Sequence, residues 1–174
     1  MNIDQIELTK LTLGDLEELK QISRKTFSDA FSSQNSKEDI LLYLNSAFND
    51  EKLTIELKEE QSKFYLARYK EEATGYFKIN FGSAQTDIND EDAMELERIY
   101  LLHQFQGKGI GKKLLKQAIN IAKKCEMKYL WLGVWEENEQ AIQFYKRNGF
   151  EVFNSHTFKV GNDIQVDHLM KLIL

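Results

Sequence analysis

The sequence predicts a mixed α/β fold in one continuous domain, residues 1–174, and three observations lead there. Apolar residues recur at helical spacing through the first third of the chain. They switch to period two between Phe64 and Leu101, and helical and strand-like runs then alternate to the end. Proline is absent, and no low-complexity linker or repeat divides the 174 residues, of which 42% are hydrophobic. That suffices for a single sizeable core.

Taken in order, Ile3 to Thr9 alternate as a first strand. Thr12 can cap a helix whose Leu16, Leu19, Ile22, Ser23, Phe27, Ala30 and Phe31 share one face. Ser36, with Asp39 three residues on, starts a second helix through Leu44, and Asn49 to Glu60 gives a third. Period-two runs follow at Phe64 to Tyr69, Thr74 to Phe81 and Met94 to Leu101. A charged turn at Glu71-Glu72 and an acidic loop from Thr86 to Asp92 separate them, as in an antiparallel meander. Ile110, Leu114, Leu115, Ala118, Ile121 and Ala122 then mark a helix that starts near Gly111. Tyr129 to Val134 reads as a buried strand and Asn138 to Asn148 as a helix ended by Gly149. Two strands joined at Gly161-Asn162-Asp163 close the chain.

Lys plus Arg number 23 against 28 Asp plus Glu, a net charge of −5 that argues against nucleic acid or an anionic membrane as the partner. The same balance attracts a small cation, although it also serves solubility alone. Cys125 is the sole cysteine, so no intrachain disulfide is possible; a buried structural thiol and a reducing cytoplasmic setting are expected. No apolar run approaches the roughly 20 residues of a membrane span, and Met1 to Gln5 lacks a signal pattern. The apolar strand Ile164 to Leu174 could pair or pack across a symmetry axis, which allows a homodimer.

The most informative stretch is Gln106-Gly107-Lys108-Gly109-Ile110-Gly111, between the strand-like Arg98 to Leu102 and a helix. Glycines let an anionic ligand reach the backbone, and a helix start offers unpaired N–H groups and the positive end of the dipole. A P-loop is excluded because Gly111-Lys112 is followed by Lys113 and position 106 is Gln. A dinucleotide fingerprint is excluded because Lys112 or Leu114 stands where its third glycine belongs.

A second motif begins 32 positions after Gln106: Asn138-Glu139-Gln140-Ala141-Ile142-Gln143-Phe144-Tyr145, with Gly149-Phe150. The two together resemble the GNAT family of acetyl-CoA-dependent N-acyltransferases, with good motifs from about Tyr76 to Phe150. Glu95 to Tyr100 and Trp131 to Asn138 look most like the bacterial PaiA-type spermidine/spermine N-acetyltransferases. The resemblance implies a GNAT-like fold: a central mixed, mostly antiparallel twisted sheet flanked by helices. It implies acetyl-CoA as cosubstrate and a polyamine as the leading acceptor. A protein amino terminus, a lysine, an amino acid or an antibiotic is the alternative acceptor, and a non-catalytic CoA-binding protein the alternative class.

The resemblance also distributes roles. The cofactor pyrophosphate would lie on main-chain N–H groups of Gln106, Gly107, Lys108, Gly109, Ile110 and Gly111. Lys108, Lys112 or Lys113 would stand near its charge unless they only solvate the helix. Ile99 and Leu101 would offer main-chain groups to the pantetheine and thioester. Asn138 would cap its helix and touch the cofactor, and Tyr145, otherwise an ordinary core aromatic, would be the acid for the departing thiolate.

Strand alternation puts Glu95, Glu97, Ile99 and Leu101 on one side, with the carboxylates about 7 Å apart at ~3.3 Å per residue. An alkylammonium with a pKa near ~10.4 must lose a proton before it can attack. Glu97, with Glu95 as partner or substitute, is the expected acceptor of that proton, unless both are merely exposed on an edge. His103, His156 and His168 have no metal-ligand spacing and no Gly-x-Ser-x-Gly elbow occurs, so neither metal nor covalent nucleophile is expected. Tyr129, Trp131 and Trp135 read as packing or strand-surface residues, and Phe27, Phe31, Glu38 and Asp39 as candidates for an acceptor wall.

Overall fold

The computed structural model describes residues 1–32, 35–160 and 163–174. Its elements run β1 (Ile6–Lys10), α1 (Leu16–Phe31), α2 (Lys37–Ala47), α3 (Asp50–Lys58), β2 (Ser62–Tyr69), β3 (Glu72–Phe81), β4 (Ala93–Leu101), α4 (Ile110–Lys124), β5 (Tyr129–Trp135), α5 (Glu139–Arg147), β6 (Glu151–Val160) and β7 (Asp163–Ile173). The strands form one sheet in the order β1-β2-β3-β4-β5-β7-β6. Every neighbouring pair is antiparallel except β4 with β5. The predicted α/β class and the β2-β3-β4 meander are therefore both present.

Local chemistry sets the helix starts. Thr12 donates its N–H and hydroxyl to Asp15 Oδ2 (2.8 and 2.9 Å) in the turn before α1. Ser36 Oγ accepts from Asp39 N, Asn49 Oδ1 from Lys52 N and Asn138 Oδ1 from Ala141 N, each taking an N–H that a helix start leaves free. The helices lie on two faces. Phe27 of α1 meets Tyr100 edge-on, while the next residue of β4, Leu101, lies beside Gly111 of α4. Phe144 of α5 is also beside Gly111, so α4 and α5 share that layer. Between the layers Phe27, Tyr76, Phe77, Leu114, Leu130 and Met170 are buried.

Four expectations change. Ile3 to Gln5 form a 3-10 turn rather than the start of the first strand, because Asn2 Oδ1 accepts from Asp4 N and Gln5 N–H bonds to Asn2 O. Cys125 is exposed: it is the C-cap of α4, one turn past the last buried position, Ala122. From Asp167 to Lys171 β7 is paired on both edges within the chain, to β5 and β6, so this stretch offers no edge for pairing across a symmetry axis, while packing across one is untouched by this. The junction Gly161-Asn162 between the last two strands lies outside the described residues.

The fourth change shapes the site. Lys78 pairs with Arg98 but Ile79 pairs with Leu96, so Glu97 is an extra residue, a β-bulge, on β4. Beyond it the side chains change faces, so the four residues expected on one side divide into two pairs. Glu95 and Glu97 both receive a hydrogen bond from Asn80 Nδ2 (2.9 and 2.6 Å). Leu101, and Ile99 two residues before it, face the α4 layer instead.

Candidate active site

The parallel contact of β4 with β5 lasts three residues, Ala93 to Glu95 against Tyr129 to Trp131. Beyond it β4 follows β3 while β5 follows β7 as far as Trp135 and Asp167, and the two strands part. The resulting wedge is a cleft of about 920 Å³. Residues 95–101 line one wall, Trp131, Gly133, Val134 and Trp135 the other, and α4, α5 and Phe31 complete it.

Hydrogen bonding fixes what β4 presents there. Leu102 N–H bonds to Thr74 O on β3, so by alternation the main-chain groups of Ile99 and Leu101 point away from β3, into the wedge. The Leu101 carbonyl already receives Gln106 Nε2 at 3.3 Å. At the wide end Gly107 and Gly109 hold φ of 70° and 81°, values natural to glycine. Gly109 is the N-cap of α4. The first intrahelical bond here runs from Lys113 N to Gly109 O, so the N–H groups of Ile110, Gly111 and Lys112 have no helical acceptor. Gln106, Gly107, Gly109, Gly111 and Lys112 line the cleft, whereas the Ile110 side chain is fully buried and anchors the helix. Lys108 sits over the Phe105 ring, and Lys113 is taken up by the Ile3 carbonyl at 2.9 Å, which removes it from the phosphate candidates. This end is a positive, side-chain-poor cradle that fits a pyrophosphate.

The two glutamates have different surroundings. Glu97 lies 2.5 Å from Lys78 Nζ and 2.9 Å from Arg98, and both cations also reach Glu56 of α3. Burial would raise the Glu97 carboxyl, but Arg98 and Lys78 outweigh it and hold its pKa at about 2. Among the described residues Glu95 has no cation partner. Its carboxylate accepts from Thr86 N, Thr86 Oγ1 and Asn80, and burial, followed by the charge of Glu97, pushes its pKa above the ordinary carboxylate value.

On α5, Tyr145 is buried between Phe144 and Phe150 and lines the cleft; burial pushes its phenol pKa well up, so it stays protonated. Asn138 caps α5 and lines the cleft as well. Of the four acceptor-wall candidates, Phe31 enters the lining and Phe27 lies buried against it. Glu38 and Asp39 stay on the first turn of α2, outside the cleft. Sequence reading missed Asp167 and His156, which line the same cleft, because isolated polar residues in an alternating strand carry no spacing signal. Among the described residues no group of three or more His, Cys, Asp or Glu is placed to hold a metal, and no helix is long and apolar enough to cross a membrane.

Known proteins share this arrangement. The chain is 38% identical over 169 residues to an uncharacterized N-acetyltransferase in the pepI 3' region of Lactobacillus delbrueckii subsp. lactis, covering 97% of this chain and 98% of that one. It is 31% identical over 150 residues to the spermidine N(1)-acetyltransferase of Thermoplasma acidophilum, covering 84% and 89%. The crystal structure of PaiA N-acetyltransferase from Thermoplasma acidophilum in complex with coenzyme A superposes with a TM-score of 0.79 at 26% identity, covering 97% and 99%. Residues 16–150 match the acetyltransferase (GNAT) family. Because that match takes in β4, α4, β5 and α5, which build most of the cleft, the protein belongs to the GNAT family and is an N-acetyltransferase.

Proposed function

We propose that the protein transfers the acetyl group of acetyl-CoA to a primary amine of a polyamine such as spermidine or spermine. One observation carries the choice of a cationic acceptor: Glu95, a buried carboxylate with no cation of its own among the described residues, faces the cleft beside the exposed main chain of β4. The likeness to a spermidine N(1)-acetyltransferase supports it.

The residues divide the work. The N–H groups at the start of α4 and the backbone of Gly107 to Gly111 hold the pyrophosphate, with Lys112 adding charge. The Ile99 and Leu101 N–H groups orient the pantetheine and donate to the thioester oxygen as negative charge develops on it. Glu95 holds the ammonium and takes its proton through water, while Glu97, committed to Lys78 and Arg98, keeps a fixed negative charge beside it. The expected order of the two glutamates is thereby reversed, since a carboxyl held at about 2 is a poor proton acceptor. Tyr145 donates to the sulfur as the C–S bond breaks. When bound, acetyl-CoA supplies the activated acyl group.

Acetyl-CoA at a hundredfold excess over Kd stabilises the native state by about 2.7 kcal/mol. At roughly 2–4 °C per kcal/mol for a chain of this size, Tm should rise by about 5–10 °C. A panel of amines assayed for free thiol release should then show spermidine or spermine preferred over amino acids and peptide amino termini. A preference for peptides would overturn the acceptor and leave the transferase. Glu95→Gln keeps the shape and should lower kcat/KM at pH 7 by roughly 10²-fold or more. Wild-type efficiency falls as pH drops through the raised Glu95 pKa, because the protonated carboxyl cannot accept. The variant loses that dependence and recovers part of its rate at high pH, where the amine is already neutral. Glu97→Gln recovering in the same way while Glu95→Gln stays near wild type would restore the original order.

A further inference from the structure

The cleft contains a second group of polar side chains that the transfer step leaves unused. Asp167 of β7 is 9% exposed and pairs in register with Trp135. Its carboxylate leans over Gly133, where a Cβ would stand 3.4 Å from Oδ2. Its Oδ1 is buried and has no hydrogen-bond partner among the described residues. Opposite it on β6, His156 places Nδ1 2.5 Å from Asp87 Oδ2 and Nε2 3.9 Å from Asp167 Oδ2.

The proton count shows what is missing. A carboxylate can only accept, so the hydrogen between Asp87 and Nδ1 is carried by the imidazole. In the neutral ring Nε2 is then an acceptor, and it faces Asp167, another acceptor. With the ring in that neutral form, two acceptors stand 3.9 Å apart beside the orphaned Oδ1, a place short of donors on the partly open wall of the cleft. Burial pushes the Asp167 carboxyl above its ordinary value, in keeping with its unsatisfied buried oxygen. An ammonium has three donors and no acceptor, and its nitrogen can sit off the line and reach both atoms at hydrogen-bond length.

We propose that Asp167 and His156, with Asp87 fixing the ring, hold the distal ammonium of a diamine whose other nitrogen is acetylated beside Glu95. The inference rests on the proposed amine acceptor and adds how its length is read. β7 is two strands from β4, roughly 10 Å across the sheet, and Asp167 lies four residues along β7 from Lys171, which the register sets level with Glu95, so the span calls for a long polymethylene chain rather than a compact amine. A continuous polar path joins the two ends: Thr86 bonds to Glu95, and the adjacent Asp87 bonds to His156.

The test compares Asp167→Asn with wild type on spermine, on spermidine, and on n-butylamine, which has a primary amine but no distal nitrogen. Loss of one charge-assisted hydrogen bond should lower kcat/KM for the two polyamines about 10- to 100-fold more than for n-butylamine. The loss should fall mainly on KM. His156→Phe should reproduce the same selectivity, and an unchanged thermal shift with acetyl-CoA shows that the variants are folded. Equal losses for all three amines, or full wild-type efficiency of Asp167→Asn with the polyamines, would overturn the distal site alone. A wild-type protein that acetylates none of the three would instead overturn the polyamine reading, and the distal site with it.

Discussion

Gly109→Asp should abolish coenzyme A binding, with calorimetry showing at least a hundredfold loss of affinity. Two effects add. The backbone at this N-cap has φ of 81°, a left-handed conformation that costs an L-residue roughly 1–2 kcal/mol. The new carboxylate also stands at the helix start, where the free N–H groups and the dipole would otherwise meet phosphate. Gly109→Ala separates the two, since it carries the backbone cost without the charge. Its Cβ would meet only Ile3 Cδ1, the flexible tip of a side chain, at 3.0 Å. The alanine variant should therefore bind more weakly than wild type but far better than the aspartate. Binding by Gly109→Asp within a few-fold of wild type would move the pyrophosphate away from α4.

Tyr145→Phe should lower kcat by about 10² to 10⁴ and leave the dissociation constant of acetyl-CoA nearly unchanged. The substitution removes one hydroxyl from a ring that stays packed between Phe144 and Phe150, so neither the core nor the cofactor cradle loses contact area. Because the phenol stays protonated, it acts as a donor whose value grows with charge on sulfur, and such a group affects turnover rather than ground-state binding. Wild-type kcat in the variant, with the chemical step shown to limit the rate, would return Tyr145 to a purely structural place.

The helices and the glycine turn that opens α4 are legible in the sequence because each rests on local rules. Leu19, Ile22 and Phe27 recur at helical spacing and are buried, and Gly107 and Gly109 adopt the conformations that glycine alone adopts cheaply. The bulge at Glu97 shows in the sequence only as the adjacent polar pair Glu97-Arg98, which suits an exposed edge equally well; the register against Lys78 and Ile79 is what makes one residue supernumerary. The low pKa of Glu97 is likewise set partly from a distance, by Lys78 on β3 together with the adjacent Arg98. Asp167 and His156 meet because β6 and β7 pair, and neighbouring residues in the chain do not announce it. Cys125 is exposed because it caps α4 beyond the last buried position, Ala122, and a lone cysteine carries no spacing signal of its burial.

The short contact between β4 and β5 gives the molecule two plates on a narrow hinge. β1 to β4 form one plate and β5 to β7 the other, joined within the sheet by three residue pairs and tied across by the Trp131 indole donating to Gln85. Glu95 belongs to the first plate and Asp167 to the second. A guest that lies in the wedge and bonds to both edges bridges the plates and so fixes the distance between those two carboxylates. If the acceptor spans Glu95 and Asp167 as proposed, filling the cofactor end would calibrate the ruler by which it is measured and would couple the two substrates thermodynamically without their touching the same residues.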